Sequence, residues 1–464
     1  MPEAPMHTEL TNWSKSSYSH CFIHKARDID EIANALASAR TQRLSVIPHG
    51  AGHSYTDAAL NTAGIVIDLT PMRKILSWDA SQGILRTEPG ATVRDILQLT
   101  LKDGWGLFVS PSTSEVTIGG CAAMNVIGRN AWNCGPFGAH ILSLDVLLAS
   151  GEICTLSPEQ DPQLFHAFIG SMGLLGIITS ITIQLRHIYS GYVMIRTHTA
   201  ASLREIFNVF TDEQGSSDFM EAWLDGLAQG PELGRGIITC GTLGQNGNPA
   251  EAQFPSDGGL KSKFVGLAGR LGRPALQPAV QMANRAYYWR AQRGGNGPGK
   301  QRSLIPYLFW SPALLAGYPA LFPGGVETFQ AFVPGQYAKE IFDHVLRYSQ
   351  EQGCMPIWCI VKRHRRDPFL LSYQVDGYSL ELNYPRTHQS AQALQQVLEH
   401  MIGDVIQAGG RFYLAKDHFM NAAQYRQSVG DEAVTAFLGL KKRFDPESLL
   451  QSDLFRRVFV PVVR

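Results

Sequence analysis

Three short glycine-rich stretches constrain this chain most: "HGAGHSY" at 49–55, "TIGGCAAMNVIG" at 117–128 and "GSMGLLGII" at 170–178. The first lies between "RLSVIP" (43–48) and "GIVIDLT" (64–70), and the third runs into "GLLGIITSITIQL" (173–185), all apolar runs of strand type. Small residues let backbone N–H groups come close to an anion. "GAGHSY" is no dinucleotide fingerprint, because Tyr55 stands where the third glycine belongs and "TDAALNTAG" leads into a strand instead of a helix. It is no NTPase phosphate loop either, since no GK[ST] follows. A fold is needed that gathers three separated strand ends around one ligand.

The rest of the first 186 residues is compatible with that. "IDEIANALASAR" (29–40) and "TVRDILQLTLKDG" (92–104) carry apolar residues at helical spacing, and "HILSLDVLLASGEICTLS" (140–157) reads as two strands joined at a Ser-Gly turn. Residues 1–186 are expected to form one α+β domain of ordinary size. In 187–408, "VETFQAFVP", "MPIWCIVKRH" and "GYSLELNYP" read as strands of a sheet, with two helices each closed by glycine, "YAKEIFDHVLRYSQEQG" and "SAQALQQVLEHMIGDVIQAGG". A last segment, 409–464, is helical over most of its length.

Charge is balanced, with 40 basic and 40 acidic residues, which argues against a general nucleic-acid binder but leaves room for a local basic face. Such a face exists: from Gly258 to Gly325 there is no Asp or Glu, while Lys261, Lys263, Arg270, Arg273, Arg285, Arg290, Arg293, Lys300 and Arg302 fall inside. A mobile basic segment is expected over 243–302. It is either a solvated loop or a cover that meets something anionic, a phosphate or a membrane surface. The seven cysteines include no CxxC pair, so no zinc ribbon and no other metal site is expected, and a reducing compartment fits. "MPEAPMHTELTNWSKS" has no apolar core of a secretory signal, and no run approaches the roughly 20 apolar residues of a membrane span. The expected location is the cytoplasm, with association at the membrane surface through 258–302 as an option.

Three glycine loops in this order suit a long ligand with a pyrophosphate in its middle, and FAD has that shape. The stretches "VIPHGAGHSYTDAALN", "GIVIDLTPMRKI", "LRTEPGATVRDIL", "PSTSEVTIGG", "GPFGAHILSLDVLLASGE" and "GSMGLLGIITSITI" together resemble the FAD-binding domain of the VAO/PCMH-type flavoproteins over about residues 20–186. The resemblance implies two α+β subdomains around FAD, a cap domain with an antiparallel sheet over the isoalloxazine, and a C-terminal segment that returns to the FAD domain. Two branches compete. The sugar and aldonolactone oxidases carry a histidine in a "GHS" loop; the decaprenylphosphoryl-ribose oxidase branch also matches "GGRFYLAKD" (409–417) and "KKRFDPESLLQSD" (441–453).

By that resemblance, Gly50, Ala51, Gly52, His53, Ser54 and Tyr55 contact the cofactor from the first loop, and Thr113, Thr117, Gly119 and Gly120 from the second. Ala123, Asn125, Val126 and Gly128 pass along the flavin, Gly173, Gly176 and Ile178 form the third contact, and Tyr413 touches the cofactor. Tight turns and core packing are the structural alternative. His53 matches the histidine that carries the flavin through its 8α-methyl group in the sugar-oxidase branch, whereas the ribose-oxidase branch has an arginine there and holds FAD without a bond. A neutral imidazole is a competent nucleophile near pH 7, so covalent FAD through His53 and a simple contact both stay open. By the same resemblance Val126 falls where oxygen access is controlled in aldonolactone enzymes, and its bulk points to a dehydrogenase using a quinone or another acceptor over a fast oxidase; O2 and quinone both stay open as electron acceptor.

On the substrate side, Lys416, Lys362 and Gln330 match positions that face flavin or substrate. Glu381 replaces a cysteine of the ribose-oxidase branch, as a base, a hydroxyl ligand or an ion-pair partner of Lys416. A lysine in an apolar strand is costly unless paired. The resemblance implies oxidation of a primary or secondary alcohol of a sugar, polyol or sugar lactone, phosphorylated or lipid-linked substrates included, by hydride transfer to flavin N5. The alternative is the same fold acting on a phenol, amine or alkene.

Overall fold

The computed structural model describes residues 6–254, 276–294, 299–310, 322, 324–386 and 391–460. Its first sheet forms around a parallel pair. Strands β1 (Met6–Thr11), β2 (Tyr18–Lys25), β3 (Val46–His49) and β4 (Ile65–Asp68) lie in the order β1-β2-β4-β3, with β4 parallel to both β2 and β3. Parallel neighbours need a crossover: from β2 to β4 the chain passes through the helix Ile29–Gln42 and β3, and from β3 to β4 through residues 50–64. Asp28 caps that helix on the N–H of Glu31, and Ile32, Ala35, Leu36 and Ala39 pack on Val46, Ile65 and Ile67. The chain's last part returns here: the Val46 N–H donates to the Leu449 carbonyl and the Gln451 N–H to the Val46 carbonyl.

The second sheet is antiparallel, β5 (Ile75–Asp79), β6 (Ile84–Thr87), β8 (Ile141–Leu147), β9 (Ile153–Leu156) and β10 (Ile177–Gln184), in the order β5-β6-β10-β8-β9. The expected hairpin over 140–157 is β8 and β9. The short pair β7 (Trp105–Gly106) and β11 (Arg186–His187) closes this part of the chain. The chain contains both helices and mainly antiparallel sheets, as an α+β fold requires.

The third sheet has eight antiparallel strands: β12 (Tyr192–Ala200), β13 (Phe219–Leu224), β14 (Gly236–Leu243), β15 (Lys300–Ser303), β16 (Val326–Pro334), β17 (Trp358–His364), β18 (Gly377–Pro385) and β19 (Arg411–Phe412), in the order β15-β12-β14-β13-β17-β18-β16-β19. The 409–464 segment thus gives this sheet an edge strand before it reaches the first sheet. In β16 and β18 every residue but the last is buried, so both faces are covered. Phe329, Ala331, Val333, Leu380 and Leu382 join Phe342, Val345, Leu346 and Leu398 of the helices Gly335–Glu351 and Ala391–Gln407 in one core. Side chains alternate across a strand, so Gln330 and Glu381 are left to the opposite face.

Within the expected basic segment lies a helix, Leu276–Gly294. It docks on the large sheet through Asn284, which donates to Asp225 at 2.8 Å, and through Tyr287, whose ring meets Trp223 at 5.1 Å. Residues 255–275 and 295–298 of that segment are outside the described residues.

Candidate active site

The three glycine loops meet because glycine lets them touch. A Cβ on Gly50 would sit 2.3 Å from Thr117 Oγ1, and one on Gly173, whose φ is +76°, would sit 2.4 Å from Pro48 Cγ. No side chain fits either gap, so the first loop rests on the second and the third rests on the end of β3. Thr117 accepts the Gly120 N–H at 3.3 Å and so caps the short helix Ile118–Ala123.

The first loop is fixed from two other sides. Asn12 Nδ2 and Ser14 Oγ both donate to the Tyr55 carbonyl, at 2.8 and 3.0 Å. The Tyr55 N–H donates to the Ala415 carbonyl at 2.9 Å, and Thr56 Oγ1 to that of Leu414 at 2.8 Å. These bonds bring the 413–417 turn against the loop and place Lys416 Nζ 5.3 Å from the centre of the Tyr55 ring. The His53 ring packs against that of Trp13, tilted, with centroids 4.6 Å apart.

Between the loops and the polar face of the large sheet is a cavity of about 250 Å³. Gly50, Ala51, Gly52, His53, Ser54, Tyr55, Thr113, Thr117, Gly119, Gly120, Ala123, Val126, Gly173, Ile178 and Tyr413 lie on its wall, as do Gln330, Lys362, Glu381 and Lys416. Asn125, Gly128 and Gly176 do not. Asn125 is buried at φ +48°; its Oδ1 accepts the Gly138 N–H and its carbonyl accepts the Tyr373 hydroxyl, so it holds the backbone turn. Gly128 packs where a Cβ would meet Asn130 Oδ1 at 2.8 Å, and Gly176 where it would meet Val146 Cγ1 at 2.4 Å. These two glycines serve close packing away from the cavity.

The sheet's register builds the polar wall. Gln330 lies opposite Glu381, Glu381 opposite Ile360, and Ile360 opposite Trp223, a row across four strands. Lys416 Nζ donates to Glu381 Oε2 at 2.5 Å, and Asn383 Nδ2 donates to Glu381 Oε1 at 3.3 Å. Lys362 Nζ lies 3.4 Å from Glu221 Oε2, and Arg129 Nε 3.2 Å from Glu221 Oε1. Glu221 also lines the cavity, and sequence reasoning missed it. Its signal was present: one acid in the apolar run "FMEAWL", the same kind of feature as Lys362 in "CIVKRH". Trp13, Met124, Trp310 and Ile360 are among the apolar residues of the wall, with nothing local to mark them.

Lys416, Lys362 and Arg129 face Glu381 and Glu221, leaving one surplus positive charge. Burial alone would raise the Glu381 carboxyl, but Lys416 and Lys362 outweigh it and hold the group below its ordinary range. Glu221 is kept low in the same way, by Arg129 and Lys362 against burial. Burial pushes the Lys416 amine down, Lys362 adds to this, and Glu381 opposes it. Burial also lowers the His53 imidazole against the pull of Glu115, which favours the neutral ring, and raises the Tyr55 and Tyr413 hydroxyls.

Gln330 is 2% exposed, and its Oε1 has no hydrogen-bond partner among the described residues. Such an acceptor costs about 1–3 kcal/mol unless something donates to it. An isoalloxazine ring offers one N–H donor and several acceptors along its pyrimidine edge. One orphan acceptor beside the Lys416 and Lys362 donors complements that edge, and the glycine loops suit the pyrophosphate.

Known proteins point to the same cofactor. Residues 22–157 match the family described as FAD binding domain. Decaprenylphosphoryl-beta-D-ribose oxidase of Mycolicibacterium smegmatis is 26% identical over 466 residues, 97% of each chain. L-gulonolactone oxidase of Mus musculus is 26% identical over 216 residues, 46% of this chain and 47% of its own. Cytokinin dehydrogenase 7 of Oryza sativa subsp. japonica is 32% identical over 168 residues, 34% of this chain and 31% of its own.

Proposed function

We propose, from the premise that this chain carries an FAD-binding domain of the VAO/PCMH type, that it oxidises a primary or secondary alcohol of a sugar, polyol or sugar lactone, lipid-linked or phosphorylated substrates included. One observation carries the reading: Gln330, Glu381 and Lys362, joined by Lys416, form a polar patch on the sheet face that closes the glycine-loop cavity. Bound FAD supplies the hydride acceptor. The loops at Gly50–Tyr55, Thr117–Gly120 and Gly173 would hold its pyrophosphate, and Gln330, Tyr413 and Val126 its ring.

Glu381 is the group suited to receive the hydroxyl proton. It stays ionised, lies on the wall, and has Lys416 at 2.5 Å to hold its orientation. The surplus positive charge of the Lys416–Glu381 and Lys362–Glu221–Arg129 groups favours a substrate that carries an anionic group. Trp13, Trp310, Met124 and Ile360 keep water from the rest of the cavity. The neutral His53 imidazole on the wall suits attachment of the flavin, and Val126 favours a quinone as acceptor.

Work at a membrane surface on the cytoplasmic side belongs to the same reading. The helix Leu276–Gly294 carries Arg285, Arg290 and Arg293 beside exposed Met282, Tyr287 and Trp289, a composition suited to an anionic lipid surface. No helix among the described residues is long and apolar enough to cross a membrane.

Anaerobic mixing of the holoprotein with candidate substrates tests the reaction, followed by loss of flavin absorbance. Sugars, aldonolactones, polyols and their phosphates are expected to bleach it, and Glu381→Gln and Lys416→Met to slow bleaching by about 10²-fold or more. The partial likeness to a cytokinin dehydrogenase keeps a second reading, a non-sugar substrate such as a phenol, amine or alkene. Bleaching by amines or phenols alone would establish that second reading.

A further inference from the structure

On the far side of the large sheet, two imidazoles converge on one carboxylate oxygen. His344 Nε2, from the helix Gly335–Glu351, lies 3.0 Å from Asp404 Oδ2, and His400 Nε2 lies 3.6 Å from the same atom. His400 and Asp404 are one turn apart on the helix Ala391–Gln407, and the three ligand atoms all lie within 4.8 Å of one another. The Tyr348 ring packs 4.5 Å from that of His400 and 6.1 Å from that of His344, which limits how either imidazole can turn.

The spacing is that of a coordination shell. A tetrahedral Zn²⁺ with bonds of about 2.0–2.1 Å separates its ligand atoms by about 3.3 Å, and the two distances to Asp404 Oδ2 bracket that value. A hydrogen bond accounts for the His344 contact at 3.0 Å, but not for His400, which at 3.6 Å from the same oxygen is too far to make one. Asp404 has no Lys or Arg ion-pair partner among the described residues, so the carboxylate is open to a cation. The side chains are 48%, 53% and 23% exposed for His344, His400 and Asp404, which leaves an entry path and room for water as a fourth ligand. A second His–Glu–Cys group, His198, Glu213 and Cys240, lacks this opening, since Arg196 already pairs with Glu213 at 2.5 Å.

We propose that His344, His400 and Asp404 bind one divalent transition-metal ion of borderline softness, Zn²⁺ being the best fit, and that the ion clamps the two helices together. Nitrogen and oxygen ligands in this ratio suit zinc over calcium or magnesium, which take oxygen. The helix Gly335–Glu351 continues directly from β16. The clamp therefore stiffens the layer behind the strands that carry Gln330 and Glu381, without touching the cavity.

The test uses tag-free, chelator-treated holoprotein titrated with ZnCl2 by calorimetry and with CoCl2 by absorption spectroscopy. One Zn²⁺ is expected per chain, and the thermal midpoint should rise with Zn²⁺ concentration. Co²⁺ should give d–d bands with no thiolate charge-transfer band. His344→Ala and His400→Ala, both at exposed positions, should abolish the stoichiometric binding while flavin content and the metal-free thermal midpoint stay unchanged. A Co²⁺–thiolate band would put the metal at a cysteine and overturn the assignment. So would a wild-type protein that binds no Zn²⁺, or equal binding by the His344→Ala/His400→Ala double variant.

Discussion

Replacing Glu381 by glutamine removes the negative charge that lies 2.5 Å from Lys416 and keeps the shape of the side chain. Breaking a buried ion pair by deleting one partner costs about 3–5 kcal/mol. Lys416 has an escape, which is to give up its proton. Starting from an ordinary lysine near 10.4, that costs about 4 kcal/mol at pH 7.5 and only about 1 kcal/mol at pH 9.5. The loss of stability in Glu381→Gln should therefore be about 3–4 kcal/mol at pH 7.5 and shrink to about 1 kcal/mol at pH 9.5. The sign follows from linkage: the folded variant binds fewer protons at Lys416 than the unfolded chain does, so its stability rises with pH up to the unfolded pKa. In the wild type, Glu381 has a lowered folded pKa. Its contribution is present above the ordinary carboxylate range and is lost as pH falls through the folded value. Urea unfolding of the holoprotein at both pH values, with saturating FAD, measures this. The double variant Glu381→Gln/Lys416→Met removes both charges and should recover most of the loss at pH 7.5. An equal deficit at the two pH values, or a double variant no more stable than Glu381→Gln, would refute the reasoning.

In acid-denatured wild-type protein, flavin is expected to stay with the polypeptide and to add one FAD to its mass, and His53→Ala should release it; free release from the wild type would make His53 a contact only. Gly50→Val puts a branched side chain where even a Cβ comes within 2.3 Å of Thr117 Oγ1, so flavin content should fall at least about tenfold while the far-ultraviolet circular dichroism is kept. Gly176→Ala, by contrast, presses on Val146 in the second sheet, and should lower the unfolding midpoint of both holo and apo protein by the same amount. Arg457 holds the Asp57 carboxyl below its ordinary range against burial, with contacts of 2.7 and 3.0 Å. Asp57→Asn should therefore cost about 3 kcal/mol at pH 7. Because a depressed carboxyl contributes stability that vanishes as pH falls through its folded value, the deficit should narrow as pH falls below the ordinary carboxylate range in urea titrations.

Much of the scaffold was legible in the chain itself. The β8–β9 hairpin, β10, the helix at 29–42 and the three glycine loops follow from local period, turn residues and small side chains, which act within a few residues. Lys362 stood out because a charge inside an apolar strand must find a partner, and Glu381 because it replaces a cysteine of the ribose-oxidase branch that the chain resembles. Local pattern reports that a residue is buried, and not against what. Asn125, Gly128 and Gly176 sit in the same glycine-rich stretches as their neighbours, yet they serve backbone and sheet packing, because only the fold decides which side of a loop meets the cavity. Glu221 carried the same signal as Lys362, but its place on the cavity wall depends on β13 lying beside β17, two strands far apart in sequence. The same holds for the pairing of Lys416 with Glu381, a product of the turn at 413–417 being bonded to the first glycine loop. The sequence alone thus determined the elements and the residue types of a flavin site. The tertiary structure decided which charges meet, since coulombic pairing across a buried sheet depends on distances that no local period encodes.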